Sequence, residues 1–333
     1  MMRAAVLLML AGAFVTGACD DAGNTAPASS ASSVAPDASA IIRGEYLVRS
    51  VAGCGECHTP RDASGALDQS RWLAGVANRF DLVPDDDTQG GIPAPNLTPA
   101  GLSSWSDAAI ERAMLDGISQ DGSPLFPVMP YYAYHNMTGA DAQAIVAYLR
   151  ALPAIAGTTP ARQPLPIALT APAPPIPESA IPQTTLPDGG PEYASAQRGR
   201  YLAGEIGFCL DCHTPWRLGE TQPLDLTRVF GGGRPFSSQD WVVPAPAPPV
   251  VWSYDVTPDP TGIAGWTARD VANVLAEGKT PGGTDLCRPM PAGPMGALGG
   301  LSQQDAYDIG MYLTTITPVP GGVVPTCPAG AVE

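Results

Sequence analysis

Hydrophobic and polar residues fall into helical blocks separated by long Gly- and Pro-rich stretches. Apolar residues at 41, 42, 46, 47, 48 and 51 recur at helical spacing and predict an amphipathic helix leading into Cys54. Polar, Gly/Pro-rich loops follow to about residue 100. Ser106 is a good N-cap, and 107–115 predicts a helix ending at Gly117. Thr138-Gly-Ala-Asp141 resembles a capping box, and its helix runs over 142–150 before stopping ahead of Pro153.

Three stretches do not fit this pattern. Arg3 precedes an apolar run over 4–15, shorter than the roughly 20 residues that span a bilayer. It ends in Thr16-Gly-Ala-Cys19 and reads as a secretory signal peptide over 1–18. Cys19, directly after Gly-Ala, resembles the lipidated cysteine of a bacterial lipobox; ordinary cleavage and a retained anchor are the other readings. Residues 19–40 are mostly Ala, Ser, Asp and Pro, too poor in bulky side chains to offset their ordering entropy, and are expected to be a flexible tether. Eleven prolines between 153 and 191 predict an extended linker, assigned to 154–191. Two domains are therefore expected, 41–153 and 192–333, the second with a C-terminal tail.

The second domain repeats the first. Arg43-Gly-Glu-Tyr-Leu47 returns as Arg198-Gly-Arg-Tyr-Leu202, 155 residues later. Asn96-Leu-Thr-Pro99 returns as Asp255-Val-Thr-Pro258 at an offset of 159. Trp105, Gly117 and Met129-Pro130 return as Trp266, Gly278 and Met290-Pro291 at 161. Asp141 with Tyr148-Leu149 returns as Asp305 with Tyr312-Leu313 at 164. The offset grows only in loops, where insertions cost little.

Each repeat carries the same pentapeptide, Cys54-Gly-Glu-Cys57-His58 and Cys209-Leu-Asp-Cys212-His213. C-x-x-C-H is the signature of covalent c-type haem attachment. Two thiols must add across the two vinyl groups of one porphyrin, and the next residue must offer an imidazole to the iron. A single copy could instead be a zinc or redox motif, but two copies in matching contexts predict two haems. The sixth iron ligand is usually Met or His. Of three histidines, two are already used, and the third, His135, has no counterpart in the second repeat. Met129 and Met290, at equivalent places on Pro-rich loops, are expected to be the sixth ligands, with Met137, Met295 and His135 as alternatives. Of seven cysteines, four bind haem and Cys19 can carry lipid. Cys287 and Cys327 remain, an even pair in an exported protein, and read as a disulfide or else as two separate buried thiols.

The Gly-x-Tyr-Leu helix before C-x-x-C-H-Thr-Pro, the Asn/Asp-x-Thr-Pro turn, the Trp before a Gly-terminated helix, the Met-Pro and the Asp…Tyr-Leu helix together resemble class I c-type cytochromes. More closely, they resemble the cytochrome c subunits of membrane-bound bacterial alcohol and gluconate dehydrogenases. The likeness covers about 42–153 and 193–318. It implies an all-α fold of two tandem cytochrome c-like domains, each wrapped around one covalent haem, and puts Trp105, Trp266, Asn96 and Asp255 near haem propionates. It differs from the often three-haem relatives in having two motifs.

With six ligands on each iron, no position is open to substrate, so electron transfer is expected rather than catalysis. The expected partners are redox proteins: a dehydrogenase, another cytochrome or an oxidase. The alternative is a dihaem peroxidase, which needs one openable distal side; the near-symmetry of the halves argues against it. The net charge of −15 fits a solvated acidic surface or steering of a basic partner, and argues against nucleic-acid binding. The expected location is the periplasm, tethered to a membrane by lipid.

Overall fold

In a computed structural model of the chain, residues 37–62, 65–81, 91–157, 169–207, 209–217, 222–237 and 250–320 are described. Cys19, Cys327, the expected signal peptide and the expected tether up to residue 36 lie outside the described residues.

The first helix starts earlier than the pattern predicts. Helix α1 spans Ala38–Tyr46 and begins inside the expected tether because Asp37 caps it, its carboxylate accepting from the Ser39 amide at 3.0 Å. The chain then widens into a π-turn, Leu47–Val51, which the apolar spacing does not reveal. A single turn, α2 (Gly55–His58), carries the first pentapeptide. Strands β1 (Val76–Asp81) and β2 (Gly91–Ala94) pair antiparallel. They correct the all-α expectation; the fold is mostly helical with small ribbons. After the short α3 (Pro99–Leu102), α4 (Asp107–Asp116) is capped by Ser106 and ends at Gly117, whose φ of 66° is left-handed. A short α5 (Tyr131–Tyr134) follows, then α6 (Gly139–Ala151), capped by Thr138.

The second half builds the same set. It has α7 (Pro191–Gly204), α8 (Cys209–Cys212), a ribbon of β3 (Pro235–Ser237) and β4 (Val250–Trp252), α9 (Ala268–Glu277) and α10 (Gln303–Leu313). A capping box of Thr267 and Asp270 opens α9, and Gly278 closes it at φ 71°.

In each half the first helix crosses the last, α1 on α6 and α7 on α10. The crossings need glycine: a Cβ on Gly44 would lie 1.9 Å from the Ala144 carbonyl oxygen, and one on Gly199 would lie 1.8 Å from that of Asp308. Around the crossings sit Leu47, Val48, Ile145, Leu202, Ile309 and Tyr312, all at most 1% exposed.

The halves lock together by a reciprocal pair of contacts. Tyr46 donates to Asp305 at 2.5 Å and accepts from the Ser302 amide at 3.2 Å. Tyr201 donates to Asp141 at 2.7 Å and accepts from the Thr138 amide at 3.2 Å. Ser302 and Thr138 are the N-caps of α10 and α6, so each tyrosine satisfies a helix terminus of the opposite half. Within each half the same aspartates hold arginines, Arg43 on Asp141 at 2.8 Å and Arg198 on Asp305 at 2.9 Å. The described part of the Pro-rich segment packs on both halves. The Ile176 amide donates to the Tyr132 carbonyl at 2.9 Å, and the Tyr312 hydroxyl donates to that of Pro182 at 2.7 Å.

Candidate haem centres

In the second half, α7 delivers the chain to α8, where burial pushes the Cys209 thiol up to about 11 and the Cys212 thiol higher still. Such thiols stay neutral. Among the described residues no three His, Cys, Asp or Glu side chains converge on one point. His213 is buried, and its Nδ1 lies 2.6 Å from the Tyr254 carbonyl oxygen. Donation to that carbonyl fixes the tautomer and leaves Nε2 as the acceptor, the arrangement of a metal-binding imidazole. Burial pushes the His213 pKa down, against the Tyr254 bond and the nearby Asp255 carboxylate, which favours the neutral ring. Beside it lies a cavity of about 440 Å³, within the range of about 300–1,000 Å³ common for cofactor sites. Cys212, His213, Trp266 and Met290 line it, with Val256, Ile263 and Leu286 among the apolar neighbours. Met295 reaches the same cavity but is 67% exposed, whereas Met290 packs against the core. Cys287, three residues before Met290, also lines it and is absent from the free thiols of the described residues.

The first half repeats this arrangement. Burial pushes the Cys54 thiol up to about 12. His58 is 7% exposed, with Nδ1 2.8 Å from the Pro95 carbonyl oxygen. Cys54, Leu97, Trp105 and Met129 pack against the core. His135 points away: it is exposed, 3.2 Å from Asp116 and 3.1 Å from the Leu115 carbonyl.

Local hydrogen bonds hold the Asn/Asp turns. Asn96 accepts from the Thr98 amide at 2.8 Å and its hydroxyl at 2.7 Å, and donates to the Ile155 carbonyl at 2.9 Å. Asp255 accepts from the Thr257 amide at 2.8 Å, its hydroxyl at 2.7 Å and the Thr261 hydroxyl at 3.1 Å. These bonds pin the turn that follows the carbonyl holding each histidine.

The two motifs meet. Glu56, Cys57 and Arg61 of the first half line the same cavity as Cys212 and His213. In each pentapeptide the acid before the second cysteine pairs with an arginine: Glu56 with Arg61 at 2.8 Å, and Asp211 with the buried Arg234. Tyr132 of the first half donates to Asp211, and burial, then Asp211, raises its phenol well above the usual value. Arg234 also lies over Trp216, 4.3 Å from the ring centroid. Neither Arg234 nor Tyr132 stood out in the sequence, because neither belongs to a quoted repeat motif.

Residues 42–153 match the family model for Cytochrome c. These residues form a cytochrome c domain. The likeness to known proteins extends further. A nicotinate dehydrogenase subunit from Pseudomonas putida is 30% identical over 282 residues, covering 80% of this chain and 21% of that protein. The cytochrome c subunit of a quinone alcohol dehydrogenase from Gluconacetobacter polyoxogenes is 29% identical over 311 residues, 85% of this chain and 57% of the relative. A diheme cytochrome c-type protein of Cereibacter sphaeroides is 39% identical over 117 residues, 34% of this chain and 36% of the relative. The chain thus spans well under two thirds of each of these relatives.

A cytochrome c domain implies covalent haem, and the residues of both halves fit it. Each has two cysteines, a histidine whose Nδ1 faces a backbone carbonyl, and a methionine packed against the core. Among the described residues, Trp216 Nε1, three residues after His213, is a buried donor without a partner, as expected beside a group that brings carboxylates.

Proposed function

We propose that this chain is a periplasmic, lipid-tethered dihaem cytochrome c that relays single electrons between a dehydrogenase and another redox protein. One observation supports the reading: the carbonyl-held His213 of the second C-x-x-C-H motif and the core-packed Met290 line one cavity. When bound, each haem supplies a reversible one-electron iron couple. The protein does the rest. Cys54, Cys57, Cys209 and Cys212 hold the two porphyrins covalently. His58 and His213, with Met129 and Met290, would supply the iron ligands. A thioether favours ferrous iron more than a second imidazole does and so raises the potential. The apolar walls exclude water and keep reorganisation small. A Cys287–Cys327 disulfide ties the Met290 loop to the C-terminal tail, and Cys19 carries the lipid. The dehydrogenase partner is suggested by the names of the relatives.

The test is the absorption and magnetic circular dichroism of the purified holoprotein. Two low-spin haems, both with a sulfur-to-iron charge-transfer band, are expected. A high-spin haem with peroxide turnover would sink the proposal in favour of a dihaem peroxidase. Alkylation without reduction, read by intact mass, should leave Cys287 and Cys327 unmodified.

A further inference from the structure

The two halves are nearly symmetric in ligands but not in buried charge. At the turn following the carbonyl that holds the haem-binding histidine, the first half has the neutral amide of Asn96, 1% exposed. The second has the carboxylate of Asp255, 0% exposed. It accepts from the Thr257 amide at 2.8 Å and from the Thr257 hydroxyl at 2.7 Å. A second acid adds to it. Asp259, 7% exposed, accepts from the Thr261 amide at 2.9 Å and hydroxyl at 2.7 Å. It lies where the repeat offset grows from 159 to 161, in a stretch with no acid in the first half. Asp255 directly follows Tyr254, whose carbonyl oxygen lies 2.6 Å from His213 Nδ1, so the acid stands one residue from the group that holds the ring.

The other charges near the motifs largely cancel. Glu56 is paired with Arg61, and Asp211 with Arg234. Lys279 is paired with Asp285. Arg288 lines the second cavity but is partly exposed, so water and salt screen it more than the buried Asp255.

We propose that Asp255, reinforced by Asp259, lowers the potential of the second haem below that of the first and so sets the direction of transfer within the chain. A haem gains a positive charge on oxidation, and a buried carboxylate beside its histidine stabilises that state; the effect is large because the interior screens poorly. The second half is therefore the entry point and the first half the exit. One electron is lost by the iron held by His213 and gained by the iron held by His58, with no bond made or broken and no proton moved. The cavity shared by Cys57, Cys212 and His213 brings the two attachment sites side by side for this step. The inference rests on the dihaem reading above and adds a direction to it.

The experiment is an optical redox titration of the full holoprotein and two variants, with haem count and spin state recorded for each. The wild type should give two one-electron waves. Asp255→Asn should raise only the lower wave, by about tenfold in the electron-sharing constant, which is about 59 mV for a one-electron couple. Asn96→Asp should lower only the upper wave. Asp255→Asn places at its turn a side chain that the other half already accommodates, whereas Asn96→Asp gives up the bond to the Ile155 carbonyl, so its haem count and spin state must match the wild type. If Asp255→Asn moves the upper wave, or if neither wave moves while both haems stay low-spin, the charge argument is wrong and the dihaem reading survives. A single bound haem or a high-spin centre in the wild type overturns both.

Discussion

Met290 and Met295 line one cavity five residues apart, and burial separates them. A sulfur fixed in the core stays on iron with little loss of side-chain freedom, whereas a 67% exposed one must first be ordered. Met290→Ala is expected to turn one of the two haems high-spin and remove about half of the sulfur-to-iron band. Met295→Ala should leave the spectrum unchanged, and magnetic circular dichroism checks both. The candidate ligands were legible because the chain is its own comparison: two Met-Pro pairs at one offset say what a single methionine cannot. The job of Asn96 was not legible. Its amide looks like a free polar group in sequence, but the fold commits it to Thr98 and Ile155.

Helix ends are local events of three or four residues, so Ser106, Thr138, Gly117 and Gly278 could be read from the sequence directly. The ribbons could not. Strands of six, four, three and three residues are too short to show a period of two against the surrounding loops. The π-turn over Leu47–Val51 is hidden because its apolar residues, Leu47, Val48 and Val51, keep a spacing that an α-helix would also show. Glycine at the helix crossings was visible only as a repeated letter, and its purpose is spatial. Gly44→Ala and Gly199→Ala must push backbones apart, at a cost of about 1–3 kcal/mol each, as for other overpacked sites. Gly139, at the start of α6, has open space around its Cβ position. Gly139→Ala should be neutral or stabilising by up to about 1 kcal/mol, since it only restricts the unfolded chain. Denaturant unfolding at neutral pH distinguishes the two classes.

The cross-half lock is invisible in sequence: Tyr46 and Asp305 stand in separate repeated motifs 259 residues apart, and nothing local says that they meet. Tyr46→Phe and Tyr201→Phe should each lose about 1 kcal/mol of stability, the usual net worth of a hydrogen bond. Amide exchange should then quicken at Ser302 for the first variant and at Thr138 for the second. The lock is also acid-sensitive. Burial opposes ionisation of Asp141, but bonds from Arg43 and Tyr201 outweigh it and hold the carboxyl below the usual range. Its contribution is therefore full above the unfolded carboxylate value of about 3.9 and is lost as pH falls through the lower folded value. Asp141→Asn should flatten that part of a thermal-stability profile below about pH 4. The pattern of the lock has an ancestral consequence as well. Each half offers the other the same tyrosine and takes the same cap, which is an isologous contact, self-complementary without a second design. Two copies of one short haem protein, paired head to head as a homodimer and later fused in one reading frame, would yield this arrangement. Once fused, the copies no longer had to stay identical, and Asp255 could stand where the first half keeps Asn96.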